Sequence, residues 1–341
     1  MSKHHIFVTL FLFFSLVRGL PALAGDTEPI ARSPGLDWEK YQAGVVADWS
    51  SYQEHEAALW QTYKERVSGK WGKDAQLTGK KTYVEYFSND RLRVRINFEK
   101  GTMTFESLDQ NWKESKKSVS KILDHLLKEK VIEKAELPKD PKGALGSDVV
   151  VGLDHRTRER RTFTLKMRED HLAVRIRRYL PLVLKYSALN EVEPALVLAV
   201  INQESAFNPR ARSWVPAYGL MQIVPVYAGQ EVLHLVPSED FLYDPENNIR
   251  VGTEYLKLLQ DQYFGQMKPS ISKQYLVTCS YNWGPHRILR AIRQGTLDPE
   301  ASSEILYDNL LGVVPSETRG YLIGVTREHR RYRSYFEARG N

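Results

Sequence analysis

The sequence predicts an α+β chain of two domains: an N-terminal α+β accessory domain over residues 37–170, then an α-helical domain over residues 171–341. Three observations carry that expectation. Apolar residues recur at three- and four-residue spacings from Trp38 to Tyr63, alternate with polar ones from Thr82 to Glu106, and return to helical spacing beyond about residue 170. A chain of 341 residues suits roughly two domains, and 42% apolar with 26% charged residues excludes wholesale disorder and a fibrous repeat.

The first 24 residues form a separate segment. They hold Lys3 in a polar start, an apolar run from Ile6 to Val17, and Ala22-Leu23-Ala24 before Gly25, the small-x-small pattern of a secretory cleavage site. Export with cleavage after about Ala24 is the favoured reading, and an uncleaved anchor is the alternative. The apolar run is shorter than the ~20 residues that span a bilayer, and no later segment is long or apolar enough to do so. Residues 25–36, with Pro29 and Pro34 and no apolar periodicity, read as a flexible lead-in. Cys279 is the only cysteine, which excludes an intramolecular disulfide and leaves no cysteine after the leader to carry a lipid, so membrane attachment is not supported.

The formal net charge of +6 includes Lys3 and Arg18 of the leader. So mild an excess permits an anionic polymer as partner, but without a basic tail or cluster it does not argue for nucleic acid. Nine scattered histidines give no metal-ligand spacing. No phosphate-cradling glycine loop and no nucleophile-elbow serine is present. Neither metal nor cofactor is expected.

In the first domain Trp38, Tyr41, Val45, Trp49, Tyr52, Leu59 and Tyr63 share one helical face. Trp38, Trp49, Trp60 and Trp71 fall eleven apart, close to three turns; the first three are expected to share a stripe, with Gly69 ending the helix before Trp71. Such a stripe can stack on sugars, but packing against a sheet is favoured. Leu92, Val94, Ile96 and Phe98 alternate with Arg91, Arg93, Arg95 and Asn97, and Glu99-Lys100-Gly101 turns the chain into Thr102 to Glu106. That is a hairpin with one buried and one basic face, the basic face expected to be solvated rather than to hold an anionic glycan. A helix over 118–131, a loop over 138–146 and a strand over 161–167 complete the domain. Beyond it, helices are predicted over 179–189, 194–205, 245–263, 273–282 and 316–335, with Pro194 and Pro245 in first turns and Asp244 as an N-cap.

The chemistry concentrates at the end of one helix. Ala195 to Ile201 is apolar all round, as in a buried helix, and runs into Asn202-Gln203-Glu204-Ser205 before Asn208-Pro209 breaks it. Glu204 follows Val200 and Leu196 by four and eight residues, so its carboxyl points inward with them. Desolvation and the negative end of the helix dipole both raise its pKa, the requirement for a proton donor near neutral pH. On this helix alone, a surface glutamate at a frayed end is the competing reading.

Neighbouring segments favour the donor. Val215-Pro216-Ala217-Tyr218-Gly219-Leu220-Met221-Gln222 sets a permissive glycine beside a polarizable Met and a two-way hydrogen-bonding Gln, and Ser280-Tyr281-Asn282-Trp283-Gly284-Pro285 adds amide and phenol groups. The ES, GLMQ and YN blocks, in this order, resemble the soluble-lytic-transglycosylase catalytic domain, a lysozyme-like fold. YDPENNIRVGTEYL at 243–256 and PSETRGY at 315–321 agree. VPAYGLMQIVP, with KKTYVEYF and RINFEKGTMTFE in the first domain, is similar to the membrane-bound lytic murein transglycosylase C family.

That resemblance implies a periplasmic lytic transglycosylase acting on peptidoglycan glycan strands. It would cleave the β-1,4 bond between N-acetylmuramic acid and N-acetylglucosamine without water and leave a 1,6-anhydromuramyl end. It implies Glu204 as acid/base and Tyr321 as the tyrosine whose hydroxyl approaches it. Ser205, Tyr218, Gly219, Met221, Gln222, Tyr281 and Asn282 are then expected to bind the glycan. Ser280 and Trp283 stand where the family carries alanine and a small residue, and Trp214 reads equally as an added sugar platform or a loop tryptophan packed down. Two rivals stay open: a lysozyme-type hydrolase, favoured if Glu317 faces Glu204 with room for a water, and a non-catalytic peptidoglycan-binding scaffold.

Overall fold

The computed structural model describes residues 38–109, 112–144, 149–154 and 156–338. The expected leader, its cleavage point and the lead-in lie outside the described residues, as do the side chains of Trp38 and Trp49.

Helix α1 spans Trp38–Trp71 and so runs through Gly69 to include Trp71. The correction has a packing cause. Trp71 is fully buried, its indole N–H donates to the Asp90 carbonyl at 2.6 Å, and the Arg93 guanidinium lies 4.2 Å from its ring centre. Such anchoring outweighs the ~1 kcal/mol that a helical glycine costs. Farther up the helix, Trp60 and Tyr63 stack on each other and line a cleft of about 500 Å³ with Tyr83, Arg210, Arg212 and Tyr243.

Strands β1 (Thr82–Phe87), β2 (Leu92–Asn97) and β3 (Thr102–Ser107) form the expected meander; helices α2 (Trp112–Lys128) and α3 (Pro141–Ala144), then strands β4 (Val149–Leu153) and β5 (Glu159–Lys166), follow. The sheet is antiparallel in the order β1-β2-β3-β5-β4. Val94, Ile96, Met103, Phe105 and Phe163 meet Val119, Ile122 and Leu126 of α2 in its core. Strand β4 has no alternating pattern to announce it, since Val149-Val150-Val151 is a continuous apolar run.

The basic face is not the solvated surface that alternation suggests. Arg93 is fully buried opposite Glu106, donating to its Oε2 from Nε at 2.9 Å and Nη2 at 2.6 Å, and to the Asp74 carbonyl at 2.6 Å. The end of α1 and the residues after it cover this face, so the arginine is buried with its charge paired and its N–H groups bonded.

The rest of the described chain is helical: α4 (His171–Asn190), α5 (Pro194–Ser205), α6 (Gln230–Leu233), α7 (Glu239–Tyr243), α8 (Pro245–Leu258), α9 (Ile271–Trp283), α10 (Pro285–Arg293), α11 (Ser303–Val313) and α12 (Ser316–Glu337). Pro194 and Pro245 occupy first turns, and the Asp244 side chain caps α8 by accepting the Asn247 N–H at 2.9 Å. Helix α4 starts eight residues earlier than periodicity suggests and carries Pro181 inside it. Burial of Val174, Arg175, Ile176 and Tyr179 compensates for that proline. Among the described residues no helix is long and apolar enough to cross a membrane.

From Asp48 onward the chain packs as one compact unit built on two apolar cores. A buried ion pair stitches them. Arg175 of α4 donates from Nε to Glu136 Oε2 at 2.6 Å, and from Nη1 to the carbonyls of Phe98 at 2.8 Å and Ala206 at 3.3 Å. Burial lowers the Arg175 pKa and raises that of Glu136, each against the pull of the other's charge. The same stitching brings the turn before β1 to the end of α5, where Asn208 Nδ2 donates to the Lys80 carbonyl at 3.2 Å.

Candidate active site

Helix α5 is the centre of the helical core, with every residue from Ala195 to Ile201 buried. It stops because Ala206 and Phe207 both take left-handed backbone, at φ of 49° and 62°, so that Ala206 is the cap and Asn208-Pro209 lies one step beyond the break. Glu204, in the last turn, is only 3% exposed. Burial pushes its carboxyl above the ordinary range; Lys80 and the Tyr321 hydroxyl pull it back, and the negative charge of Glu317 adds to the rise. The surface-glutamate reading is therefore wrong.

Helix α12 packs along α5 and delivers Tyr321 to Glu204. Gly324, one turn on, makes room, since a Cβ there would fall 2.3 Å from Gln203 Oε1. Tyr321 is buried, and desolvation together with the Glu204 charge holds its phenol well above the ordinary value. Tyr281 of α9 is held up in the same way, first by desolvation and then by Glu204. The hydroxyls of both tyrosines therefore stay protonated at neutral pH.

The segment 218–223 closes on itself, the N–H groups of Tyr218 and Ile223 each donating to the other's carbonyl at 3.0 Å. Gly219 has φ of 75°, and a Cβ there would meet Asn248 Nδ2 at 2.3 Å and the Leu242 carbonyl at 2.5 Å, so only glycine fits. Gln222 takes φ of 51° without being glycine, a strained conformation that persists because its surroundings impose it. Asn248 imposes much of it, donating to the carbonyls of Tyr218 at 2.8 Å and Leu242 at 2.7 Å and accepting from the Met221 N–H at 2.8 Å. Two further ties come from the predicted site. Ser205 Oγ lies 2.7 Å from the Leu220 carbonyl and 3.0 Å from that of Ile201, and the Tyr281 hydroxyl donates to the Met221 carbonyl at 2.8 Å.

The nine residues singled out in the sequence thus divide by role. Glu204, Tyr321 and Tyr281 come together electrostatically, and Asn282 is oriented beside them by Thr318 of α12, whose hydroxyl donates to its Oδ1 at 2.7 Å. Gln222 turns Nε2 to the carbonyls of Ala211 and Gly219, leaving its buried Oε1 with no partner among the described residues. Ser205, Tyr218 and Met221 are fully buried, so they build the loop instead of lining a surface open to sugar; Tyr218 packs edge-on against Tyr243, and Met221 fills the space over Gly252. Trp214 is 82% exposed and therefore not packed down.

Two residues, Lys80 and Asn248, escaped sequence reasoning. Lys80 places Nζ 3.1 Å from Glu204 Oε2 and 4.0 Å from Glu317 Oε1, but it precedes its partner by 124 positions, and the KKTYVEYF block that it opens gives no sign of that contact. Glu317 does lie near Glu204, though the ammonium of Lys80 contacts both carboxylates. Asn248 had a usable signal: an asparagine inside a helix is disfavoured unless its amide is needed.

A buried carboxyl at the end of an apolar helix, faced by a tyrosine and beside a strained glutamine loop, sits in the part of the chain that matches the family described as transglycosylase SLT domain, over residues 181–301. Residues 49–143 match the membrane-bound lytic murein transglycosylase C, N-terminal domain. Proteins described as membrane-bound lytic murein transglycosylase C from Yersinia pestis (strain Pestoides F) and Yersinia pseudotuberculosis serotype O:1b (strain IP 31758) are each 31% identical over 309 residues, covering 78% of this chain and 86% of theirs. The chain belongs to the membrane-bound lytic murein transglycosylase C family, and residues 181–301 of its helical part carry the lysozyme-like SLT domain. Among solved structures, the 70 kDa soluble lytic transglycosylase from Escherichia coli is 31% identical over 46% of this chain, with a TM-score of 0.39; the match spans 24% of that longer protein.

Proposed function

We propose that the protein cleaves the β-1,4 bond between N-acetylmuramic acid and N-acetylglucosamine in peptidoglycan and leaves a 1,6-anhydromuramyl end, with Glu204 as its acid and base. The observation that carries this reading is the buried Glu204 carboxyl, raised by desolvation and faced by the Tyr321 hydroxyl. The protonated carboxyl gives its proton to the bridging oxygen as the C1–O bond breaks, and the N-acetylglucosamine side leaves with a free 4-hydroxyl. The muramyl N-acetyl oxygen steadies the electron-poor C1. The Glu204 carboxylate then takes the proton of the 6-hydroxyl as O6 bonds to C1, which restores the acid without consuming water.

One carboxyl suffices because the substrate supplies both nucleophiles, whereas most glycosidases need two. In this scheme Tyr321 orients the carboxyl, and Gln222 Oε1, a buried acceptor without a partner among the described residues, receives a sugar N–H or O–H. Asn282 and Tyr281, each partly exposed, contribute to binding the same sugar, and Gly219, Ser205, Tyr218 and Met221 support the loop from behind. Release from purified sacculi of muropeptides one water lighter than free reducing ends, absent with Glu204→Gln, is the expected result. A falling turbidity is also expected; sacculi that merely retain the protein without dissolving would favour a binding scaffold.

Glu317 favours a second reading, hydrolysis, since it is a carboxylate close to Glu204. Products carrying a free reducing end as the main species would establish it. The proposed place of action is the periplasm, reached through the leader ending near Ala24.

A further inference from the structure

Lys80 is the one contact with the Glu204 carboxyl that comes from the N-terminal, sheet-containing part of the chain among the groups described around it. Its backbone is fixed on several sides. Asn208 Nδ2 donates to the Lys80 carbonyl at 3.2 Å, the Phe98 N–H to the Lys81 carbonyl at 3.0 Å, and the Gly79 N–H to the Thr82 carbonyl at 2.8 Å. The side chain is 36% exposed, and the ammonium is on Oε2 of Glu204, not Oε1.

We propose that Lys80 is a positioning residue of the glycan-cleaving reaction: its ammonium clamps Oε2 of Glu204, leaves Oε1 to meet the sugar, and stabilises the carboxylate that must collect the 6-hydroxyl proton. The proposal rests on Glu204 being the acid and base. Four titratable or charged groups face that carboxyl: Lys80 from the turn before β1, Tyr281 from α9, and Glu317 and Tyr321 from α12. Of the four, Lys80 is the cation. Burial works against its charge, but the Glu204 carboxylate outweighs burial and holds the ammonium in the charged form. A carboxyl raised by burial alone donates readily but returns to the carboxylate poorly; a neighbouring cation offsets part of that rise, so one group serves both half-reactions.

The experiment is the pH profile of kcat/KM on purified peptidoglycan for wild type, Lys80→Met, Lys80→Arg and Glu204→Gln. Loss of the cation moves the alkaline limb of Lys80→Met to higher pH by at least about half a unit, roughly a threefold change in the protonated fraction at a fixed pH on that limb. Lys80→Arg returns the limb to the wild-type position, which a merely structural lysine would not require. A Lys80→Met limb at the wild-type pH, with Glu204→Gln inactive, overturns the role of Lys80 alone. An active Glu204→Gln removes Glu204 as the acid and the proposal with it. Should Lys80→Met fail to fold, the infrared band of the protonated carboxyl that Glu204→Gln deletes is titrated in wild type and Lys80→Gln, and coincident midpoints overturn the proposal.

Discussion

The Tyr321 hydroxyl of α12 faces the Glu204 carboxyl of α5 inside the protein, and makes no hydrogen bond to any other described group. A buried phenol without a second partner is costly to keep unless the reaction uses it. Tyr321→Phe is expected to lower kcat on peptidoglycan by on the order of a hundredfold, the scale of losing one preorganised donor at a reacting carboxyl. Its melting temperature should stay at or slightly above that of the wild type. A large loss of stability would make the tyrosine a packing residue instead.

Glu204→Gln tests the same carboxyl from the side of stability. Because the folded pKa of Glu204 is raised by burial, folding favours its protonated form. The sign follows: its contribution is most favourable below the unfolded carboxyl pKa and declines as pH rises through the folded value. A glutamine is neutral throughout. Denaturant titrations should therefore show the variant gaining on the wild type as pH rises from about 4 to neutrality, by on the order of 1 kcal/mol. A gain that does not grow with pH would contradict the raised pKa.

Asn248→Ala should cost about 3 kcal/mol, since it strands the Leu242 carbonyl and the Met221 N–H in the interior and leaves the Tyr218 carbonyl with the Ile223 N–H alone. It should also reduce turnover, although Asn248 is placed behind the loop, because the left-handed backbone of Gln222 depends on that loop. Chemical unfolding and muropeptide release measured on one preparation check both. Full activity at reduced stability would separate the glutamine's geometry from the asparagine.

Much of this architecture was legible in the residues. The continuous apolar run of α5 gave its boundaries and the inward direction of Glu204, and the alternation at Leu92–Phe98 gave the hairpin. Partners chosen by tertiary packing were not legible. Arg93 alternates like a solvent-facing residue, and only the fold supplies Trp71 and Glu106 around it. Tyr218, Met221 and Ser205 carry groups suited to sugar, yet the closed loop turns all three inward. Lys80 meets Glu204 only because Arg175 and Asn208 join the two cores, a relationship no local period encodes.

Ser280 offers a test of a residue with no assigned task. Its hydroxyl is buried in α9 without a hydrogen-bond partner among the described residues, one position before Tyr281. Ser280→Ala is expected to raise stability by about 1 kcal/mol, the cost of an unsatisfied buried hydroxyl, while leaving turnover within about twofold. Differential scanning calorimetry and the muropeptide assay read the two effects. Loss of turnover in this variant would instead give the hydroxyl a part in binding the glycan.

Glu317 sets the sign of the remaining electrostatic test. Its carboxylate adds to the rise of the Glu204 pKa, so Glu317→Gln should shift the alkaline limb of kcat/KM to lower pH, opposite to Lys80→Met. The side chain is largely exposed, and the shift should accordingly shrink as salt is raised from low to physiological ionic strength. If Glu317 instead activates a water, its removal would leave the limb in place and eliminate free reducing ends from the products, with anhydro ends retained. The two outcomes are read from the same reaction mixtures, by rate against pH and by product mass. A shift toward lower pH with an unchanged product ratio assigns Glu317 to the electrostatic surroundings of the acid and leaves the chemistry to Glu204.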